Sequence, residues 1–395
     1  MRVEVIAFAL FAVALSSKVQ PPPAPFNPEC RVNDPTAWDD AELGKVPWFD
    51  VDLDAPPHER YQEIAQVYKD KIPPVLGVLQ SMVQMIFGDA PVFEMIEGWF
   101  RDAYEGGRYP APYSDEIQGI ADVVGIPVEQ IAMMNVFYEL SRWCTSIVAE
   151  SSDNSMWHAR NLDFGQLFIW DPEIETWDLT DTLRQVTVNI NFMKGGKLLY
   201  KGTTFAGHTG IITGMRMGEF TLSMNAKEVS DYGLLMEWLT GDLKDTNFAM
   251  WVERQVMENA TTFEEARTYL SNVQQMSNCY YILGGKELGQ GTIIIRNATS
   301  VEQELKLHDG NNDWYLLMTN YDPQQDPLWV DDRRTGGNAC MKELGKDGVS
   351  LQGLYKVLKS KTTLNKTTAH TVVMSITHGV YEAFLQQCPN PCWPF

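Results

Sequence analysis

The chain of 395 residues carries 52 acidic against 31 basic side chains, a formal charge of −21. No cluster of Lys and Arg offers a face for phosphates, so nucleic acid is not an expected partner. A hydrophobic content of 44% is that of an ordinary globular protein, six cysteines are too few over this length for a disulfide scaffold, and the length admits one large domain or two average ones.

Residues 1–16 read as a signal peptide. Arg2 precedes an apolar run over 5–15, and the small residues Ala14 and Ser16 suit cleavage just after Ser16. The run is too short to cross a bilayer as a stable helix, and no later segment approaches ~20 uninterrupted apolar residues. A soluble protein that enters the secretory pathway is expected, and sequons at Asn259, Asn297 and Asn365 agree with that route. At acidic pH many exposed carboxylates would near their ordinary pKa of about 4 and lose charge, so an acidic compartment suits the charge balance.

Residues 20–28 are proline-rich and extended. From about 58 to 140 the pattern is helical. Val75, Val78, Leu79, Met82, Val83 and Ile86 form an apolar stripe opened by Pro73-Pro74 and stopped at Gly88, and Pro127 opens a helix that runs toward Tyr138. Such stripes suit a core. Past Cys144 the pattern turns to strands: 145–151 and 156–164 around the polar turn 152–155, 183–193 and 198–206 around Gly195-Gly196, then 211–224. Helices are expected at 232–239 and 262–270, the second with a Thr262…Glu265 capping box. Strands return at 280–283, 291–296, 304–307 and 314–319, followed by a helix at 351–358 and strands at 371–376 and 379–384. This order predicts a layered α+β fold with antiparallel sheets.

The chemistry centres on Cys144, at a helix-to-strand junction, with Arg160 and Asp163 one short hairpin later. A cysteine nucleophile must shed its thiol proton, so a base, or a cation that stabilises the thiolate, has to lie within reach. The hairpin folds Arg160 and Asp163 back beside Cys144. No surrounding His or Asn matches the papain or caspase signatures, which leaves a Cys-His dyad without support. If the chain is cut between Trp143 and Cys144, the freed α-amine can serve as base, with Asp163 orienting it and Arg160 favouring the thiolate. Spacing alone leaves an equal alternative, a buried structural cysteine beside a surface Arg-Asp pair.

Setting Cys144 aside leaves Cys30, Cys279, Cys340, Cys388 and Cys392, an odd number, so at least one lacks an intrachain partner. Cys388 and Cys392 enclose Pro389-Asn390-Pro391, a turn that could join them; zinc binding is the competing reading for this pair, with no second ligand pair at zinc spacing. The six histidines are scattered singly and read as structural. No metal or cofactor is expected.

Several segments together resemble the acid ceramidase family, over essentially the whole chain after the leader. They are Val46-Pro47-Trp48-Phe49, Asn135-Val136-Phe137-Tyr138-Glu139-Leu140, Cys144-Thr145-Ser146-Ile147-Val148-Ala149-Glu150 and Arg160-Asn161-Leu162-Asp163-Phe164-Gly165. The resemblance continues through Ile282-Leu283-Gly284-Gly285, Thr319-Asn320-Tyr321-Asp322, Asp331-Asp332-Arg333-Arg334-Thr335 and Cys388-Pro389-Asn390-Pro391-Cys392.

The resemblance implies the four-layer αββα fold of N-terminal-nucleophile hydrolases, with 17–143 as a helical α subunit that stays attached and 144–395 as the catalytic β subunit. It implies that Cys144 is the nucleophile, that Asp163 and Arg160 organise amine and thiolate, that Asn320 contributes to the oxyanion hole and that Arg333 completes the polar cluster. It implies a Cys30–Cys340 disulfide joining the two subunits, with Cys279 left as a thiol. The implied activity is hydrolysis of ceramide to sphingosine and a fatty acid in the lysosome, with secretion as a second destination, after self-cleavage between Trp143 and Cys144. The lipid would be met transiently at a membrane surface, and a saposin-type activator is a further partner the resemblance admits. One departure stands out: the family carries Asn-Glu-Arg where this chain reads Asn225-Ala226-Lys227.

Two other readings compete. A sister enzyme hydrolysing N-acylethanolamines would share the catalytic residues, but its relatives lack a terminal pair like Cys388…Cys392. A non-catalytic secreted lipid-binding protein on the same scaffold would be expected to have lost Cys144, Asp163 or Asn320, and all three are present.

Overall fold

The computed structural model describes residues 30–31, 44–88, 91–137, 143–164, 169–227, 232–243, 246–310, 313–328, 331–361, 363–389 and 392. The leader, the proline-rich lead-in, residues 138–140 and the Asn390-Pro391 turn lie outside the described residues.

Two stacked sheets form the centre. The larger runs in the order β1 (Trp48–Asp52), β6 (Thr187–Lys194), β7 (Lys197–Phe205), β8 (Thr213–Arg216), β9 (Phe220–Ala226), β10 (Cys279–Gly285), β11 (Gly291–Arg296), β12 (Val301–Lys306). The smaller runs β13 (Tyr315–Met318), β2 (Trp143–Glu150), β3 (Met156–Asp163), β14 (Thr368–Ser375), β15 (Val380–Leu385). A separate short hairpin pairs β4 (Trp170–Asp171) with β5 (Thr176–Trp177). The inner faces meet through Val148, Tyr280, Ile282, Ile293 and Leu316. On the outer face of the smaller sheet, α10 (Arg333–Leu344) and α11 (Leu351–Leu358) set Met341 and Leu354 against Ile147, Ala159 and Val373. The larger sheet is covered by α8 (Ala249–Asn259), α9 (Phe263–Asn272) and the helices of the N-terminal segment: α1 (Gln62–Val67), α2 (Ile72–Phe87), α3 (Val92–Glu105), α4 (Tyr113–Val124) and α5 (Val128–Phe137). This is the αββα sandwich.

The N-terminal segment, expected to be helical, also supplies the strand β1. That strand pairs parallel with β6 in register Trp48↔Asn189 to Asp52↔Met193, and makes the larger sheet mixed rather than antiparallel. A buried ion cluster ties the same segment to α8: Glu116 Oε1 accepts from Arg60 Nη1 at 2.9 Å and from Arg254 Nη2 at 2.8 Å, with no side-chain exposure of Glu116 or Arg254. The Cys30–Cys340 disulfide adds a covalent tie to α10. Cys388 and Cys392 are also disulfide-bonded, which removes the thiolates that zinc would need, while Cys144 and Cys279 are buried thiols.

Other differences have local causes. Residues 183–185, expected to begin a strand, end a helix, α6 (Asp178–Gln185), whose acidic first turn and Arg184 in the last turn suit the helix dipole. The stretch 211–224 is two strands, split by a turn at Gly218 with φ +75°. Helix α8 escaped notice because it is buried almost all round, Glu253 and Arg254 included, and so shows no clean stripe. Helix α10 holds Gly336-Gly337, a poor helix signal; a Cβ at Gly337 would come within 2.8 Å of Leu317, so this helix lies close against β13. The helix expected at 232–239 is α7 (Tyr232–Thr240). Thr262 caps α9 by accepting from Glu265 N at 3.1 Å, but Glu265 reaches back to Thr261 N instead of Thr262 N.

Candidate active site

Strand β2 begins at Trp143, so Cys144 lies within it, and its hairpin with β3 sets the register Trp143↔Asp163, Cys144↔Leu162 and Ser146↔Arg160. Side chains alternate across a strand. Cys144 and Arg160 therefore share the face toward the larger sheet, and Asp163 points to the other face, toward α10. Arg160 Nη2 donates to Cys144 Sγ at 2.8 Å, while Nη1 is held by Ile212 O at 3.1 Å and Thr213 Oγ1 at 2.8 Å. The guanidinium is thus fixed by β8 and its lead-in and aimed at sulfur.

Arg333, the first residue of α10, is the hub on the other face. Nη1 donates to Cys144 O at 2.6 Å and to Asp163 Oδ2 at 3.1 Å, and Nη2 to Asn320 Oδ1 at 2.7 Å and Asp331 Oδ2 at 3.1 Å. Nε completes a fork on Asp331 at 2.9 Å. The guanidinium also lies 5.6 Å from the centre of the Trp143 ring. Asn320 Oδ1 accepts from the Cys144 backbone N–H at 2.8 Å, and Nδ2 donates to Ala226 O at 2.8 Å. Two donors on the oxygen and a carbonyl on the nitrogen fix the amide's orientation. In the uncut chain Asn320 therefore offers Cys144 an acceptor, not the donor expected of an oxyanion hole.

All five expected residues, Cys144, Arg160, Asp163, Asn320 and Arg333, fall into one network. Cys144, Arg160 and Asp163 have no exposure and Arg333 has 1%; Asn320 and Trp143 are partly exposed. Burial raises the pKa of Asp163, and the Arg333 guanidinium opposes that rise. Burial likewise lifts Asp331 to about 6 against the pull of Arg333. The pair of aspartates in turn holds Arg333 above the usual guanidinium range. Two buried arginines against two buried aspartates leave the cluster electrically balanced.

Sequence reasoning gave no role to Asp331, although it belongs to the motif that carries Arg333. It also missed Thr368, whose Oγ1 donates to Asp163 Oδ1 at 2.6 Å across 205 residues of sequence, and no local pattern marks such a contact. At the expected sequon, Asn365 is 1% exposed and its Oδ1 accepts from Thr367 N and Thr367 Oγ1. Asn259 is exposed and Asn297 partly so. In the departing triplet, Asn225 accepts from Ser146 Oγ at 2.7 Å and donates to Met318 O at 2.9 Å and Thr319 O at 3.1 Å, bracing the segment that carries Asn320. Lys227 is paired with Glu302 and Asp322. Among the described residues no group of three or more His, Cys, Asp or Glu has metal-site geometry, and no helix is long and apolar enough to cross a membrane.

A thiol touched by a fixed cation, on a residue whose own N–H and C=O are both held, is an arrangement for nucleophilic attack on a carbonyl. Comparisons with known proteins agree. Residues 144–328 match the family model of linear amide C-N hydrolases of the choloylglycine hydrolase family, and residues 44–104 match that of the beta subunit of N-acylethanolamine-hydrolyzing acid amidase. The chain is 48% identical to a probable acid ceramidase of Caenorhabditis elegans over 94% of this chain and 93% of the relative. It is 33% identical to the acid ceramidase of Homo sapiens over 98% of each. Among solved structures, the Caenorhabditis elegans ortholog of N-acylethanolamine-hydrolyzing acid amidase superposes with a TM-score of 0.52 at 30% identity, over 62% of this chain and 100% of that one. The chain is a member of the acid ceramidase family, an amidohydrolase of the N-terminal-nucleophile type.

Proposed function

We propose that the protein hydrolyses the amide bond of ceramide to sphingosine and a free fatty acid through a thioester on Cys144, after cutting itself between Trp143 and Cys144. The observation that carries this reading is the Arg160 Nη2 contact on Cys144 Sγ, which favours the thiolate over the thiol. In maturation the sulfur attacks the Trp143 carbonyl: a C–S bond forms, the C–N bond to Cys144 breaks, and water resolves the thioester to leave a carboxylate on Trp143 and a free amine on Cys144. The family model for amide hydrolases begins at residue 144, in keeping with a functional piece that starts there.

In turnover the α-amine takes the thiol proton as sulfur attacks the ceramide carbonyl, and passes it to the departing sphingosine nitrogen. Water then attacks the thioester with the amine as base. A free α-amine has a pKa of about 8, and the nearby Arg160 cation disfavours its protonated form, which keeps a fraction available as base in acid. Asp163 orients the amine. Arg333 and the Cys144 N–H hold Oδ1, which fixes Nδ2 as the donor end of the Asn320 amide, and we assign it as a donor to the oxyanion. The compartment we assign is the lysosome, reached by the secretory pathway, and the acidic composition supports it. A saposin-type activator that presents ceramide from a membrane belongs to the same proposal.

Hydrolysis of N-acylethanolamines is the second reading, favoured by the match over residues 44–104 and by the solved relative. The Cys388–Cys392 disulfide and the near-complete coverage of acid ceramidases favour the first. Purified mature protein should be given ceramide and an N-acylethanolamine side by side, with Cys144→Ala as control. Preferred turnover of the ethanolamide would transfer the assignment, and turnover by Cys144→Ala would end both.

A further inference from the structure

Asp163 is gripped from two sides. Arg333 Nη1 meets Oδ2 at 3.1 Å, and Thr368 Oγ1 donates to Oδ1 at 2.6 Å. The side chain of Asn365 also acts on this carboxylate, lowering its pKa. The acceptor end of Asn365 is already occupied, by Thr367 N at 2.8 Å and Thr367 Oγ1 at 2.5 Å, so the donating end, Nδ2, is the one that serves a carboxylate. The backbone N of Asn365 donates to Thr368 Oγ1 at 3.1 Å, and Phe164 N donates to Thr367 O at 2.8 Å, which fastens this turn to the end of β3 beside Asp163. Thr368 thus donates to a fully buried carboxylate, and Asn365, held in the same turn, favours its charged form.

We propose that Asn365 and Thr368 are positioning residues for Asp163, holding its carboxylate in the orientation from which it meets the α-amine of Cys144, and that Asn365-Lys366-Thr367 is a structural turn rather than a glycan acceptor. The proposal rests on the reading of Asp163 as the group that orients the amine. Its physical basis is the cost of an ionised carboxylate in a buried site: each donor stabilises the charged form, and each also fixes the plane of the carboxylate. Replacing Asn365 by Asp exchanges a donor for a like charge, which pushes the protonation of Asp163 to higher pH; a protonated Asp163 no longer orients the amine. Thr368→Val removes the second donor without changing shape much, and Thr368→Ser restores it.

The test uses the full chain, expressed through the secretory pathway and matured at acidic pH, with a fluorogenic amide as probe. Asn365→Asp should move the acid limb of the kcat/KM profile to higher pH, a shift that loss of packing or loss of a glycan does not produce. Thr368→Val should lose on the order of 10- to 100-fold in kcat, as expected for a misplaced catalytic group, and Thr368→Ser should recover most of it. Asp163→Asn is run alongside. Full activity in Asp163→Asn would refute the role given to Asp163 itself. Loss of activity there, with wild-type profiles in both Asn365→Asp and Thr368→Val, would overturn the positioning role alone. Glycopeptide mass spectrometry on the active wild-type protein needs no variant: Asn365 should be unmodified, and a glycan at that position would overturn the proposal whatever the variants do.

Discussion

Arg333 Nη1 lies 2.6 Å from the carbonyl oxygen of Cys144 and 3.1 Å from Asp163 Oδ2, so a single guanidinium group joins the proposed nucleophile to the carboxylate proposed to orient its amine. With Arg160 on the sulfur and Asn320 on the backbone N–H, Cys144 is held at three separate atoms. Holding reactants in fixed geometry removes much of the entropic part of a barrier.

Asn320 accepts from Cys144 in the uncut chain and is assigned as a donor in turnover, and two substitutions separate these roles. Asn320→Asp keeps the acceptor and removes the donor; Asn320→Ala removes both. Turnover should fall in each by on the order of 100- to 1000-fold, the usual effect of losing one oxyanion donor, while self-cleavage should slow more in Asn320→Ala. Rates of both steps, measured on purified precursor and mature protein, check this, and near-normal turnover in Asn320→Asp would remove the donor role.

Asp331 gives a pH dependence with a defined sign. Its pKa is raised by burial to about 6, above the ordinary carboxylate value of about 4. The folded state therefore binds the proton more tightly, and the stability this supplies is complete below pH ~4 and lost as pH rises through ~6. Buried His158, His208 and His370 act in the opposite sense, since their pKa values are depressed by burial and their contribution is lost as pH falls below ~6.5. Denaturant midpoints of wild type and Asp331→Asn from pH 4 to 7 isolate the first effect. Relative to the variant, wild type should lose up to about 1.4 kcal/mol per pH unit across this window; parallel curves would show that Asp331 does not titrate there.

The ion cluster around Glu116 should be among the costliest places to disturb. Arg254 has no side-chain exposure, and Glu116→Gln removes the carboxylate that its Nη1 and Nη2 both meet, leaving Glu258 at 2.7 Å from Nε as the remaining one. Breaking such a pair typically costs about 3–5 kcal/mol. Because Glu116 lies before the proposed cut and Arg254 after it, the loss should appear as a lowered denaturant midpoint, with the two pieces parting more readily once the Cys30–Cys340 disulfide is reduced. A change within about 0.5 kcal/mol, the range of an ordinary surface substitution, would contradict this.

What the sequence disclosed follows the range of the interactions. The Cys144–Arg160 contact was legible because a short turn between two strands sets the register, and register sets faces. Arg333 meets Cys144 across 189 residues and Thr368 meets Asp163 across 205; no local periodicity encodes such contacts, so Arg333 was reached by resemblance and Thr368 was not reached. Helix α8 and strand β1 were missed because neither shows a clean apolar pattern, the one buried almost all round and the other a short edge strand with most of its residues exposed. At Asn365 the sequence alone does not choose, because a turn stabilised by Asn and Thr side chains has the same spelling as a glycan acceptor.

The Cys30–Cys340 disulfide spans the proposed cut, with Cys30 the sole cysteine before Cys144. Mature protein should run as one species on a non-reducing gel and as two after reduction. Two bands without reductant would refute the tether.

The bond between Trp143 and Cys144 is the most direct test of the whole account. The α-amine that serves as base cannot exist while that bond is intact, and the thiol that must break it is already held by Arg160. Precursor incubated at acidic pH should yield a larger fragment whose N-terminal sequence begins Cys-Thr-Ser-Ile-Val, while Cys144→Ala stays a single chain. An active precursor that is never cut, or cleavage at the same bond in Cys144→Ala without added protease, would contradict it.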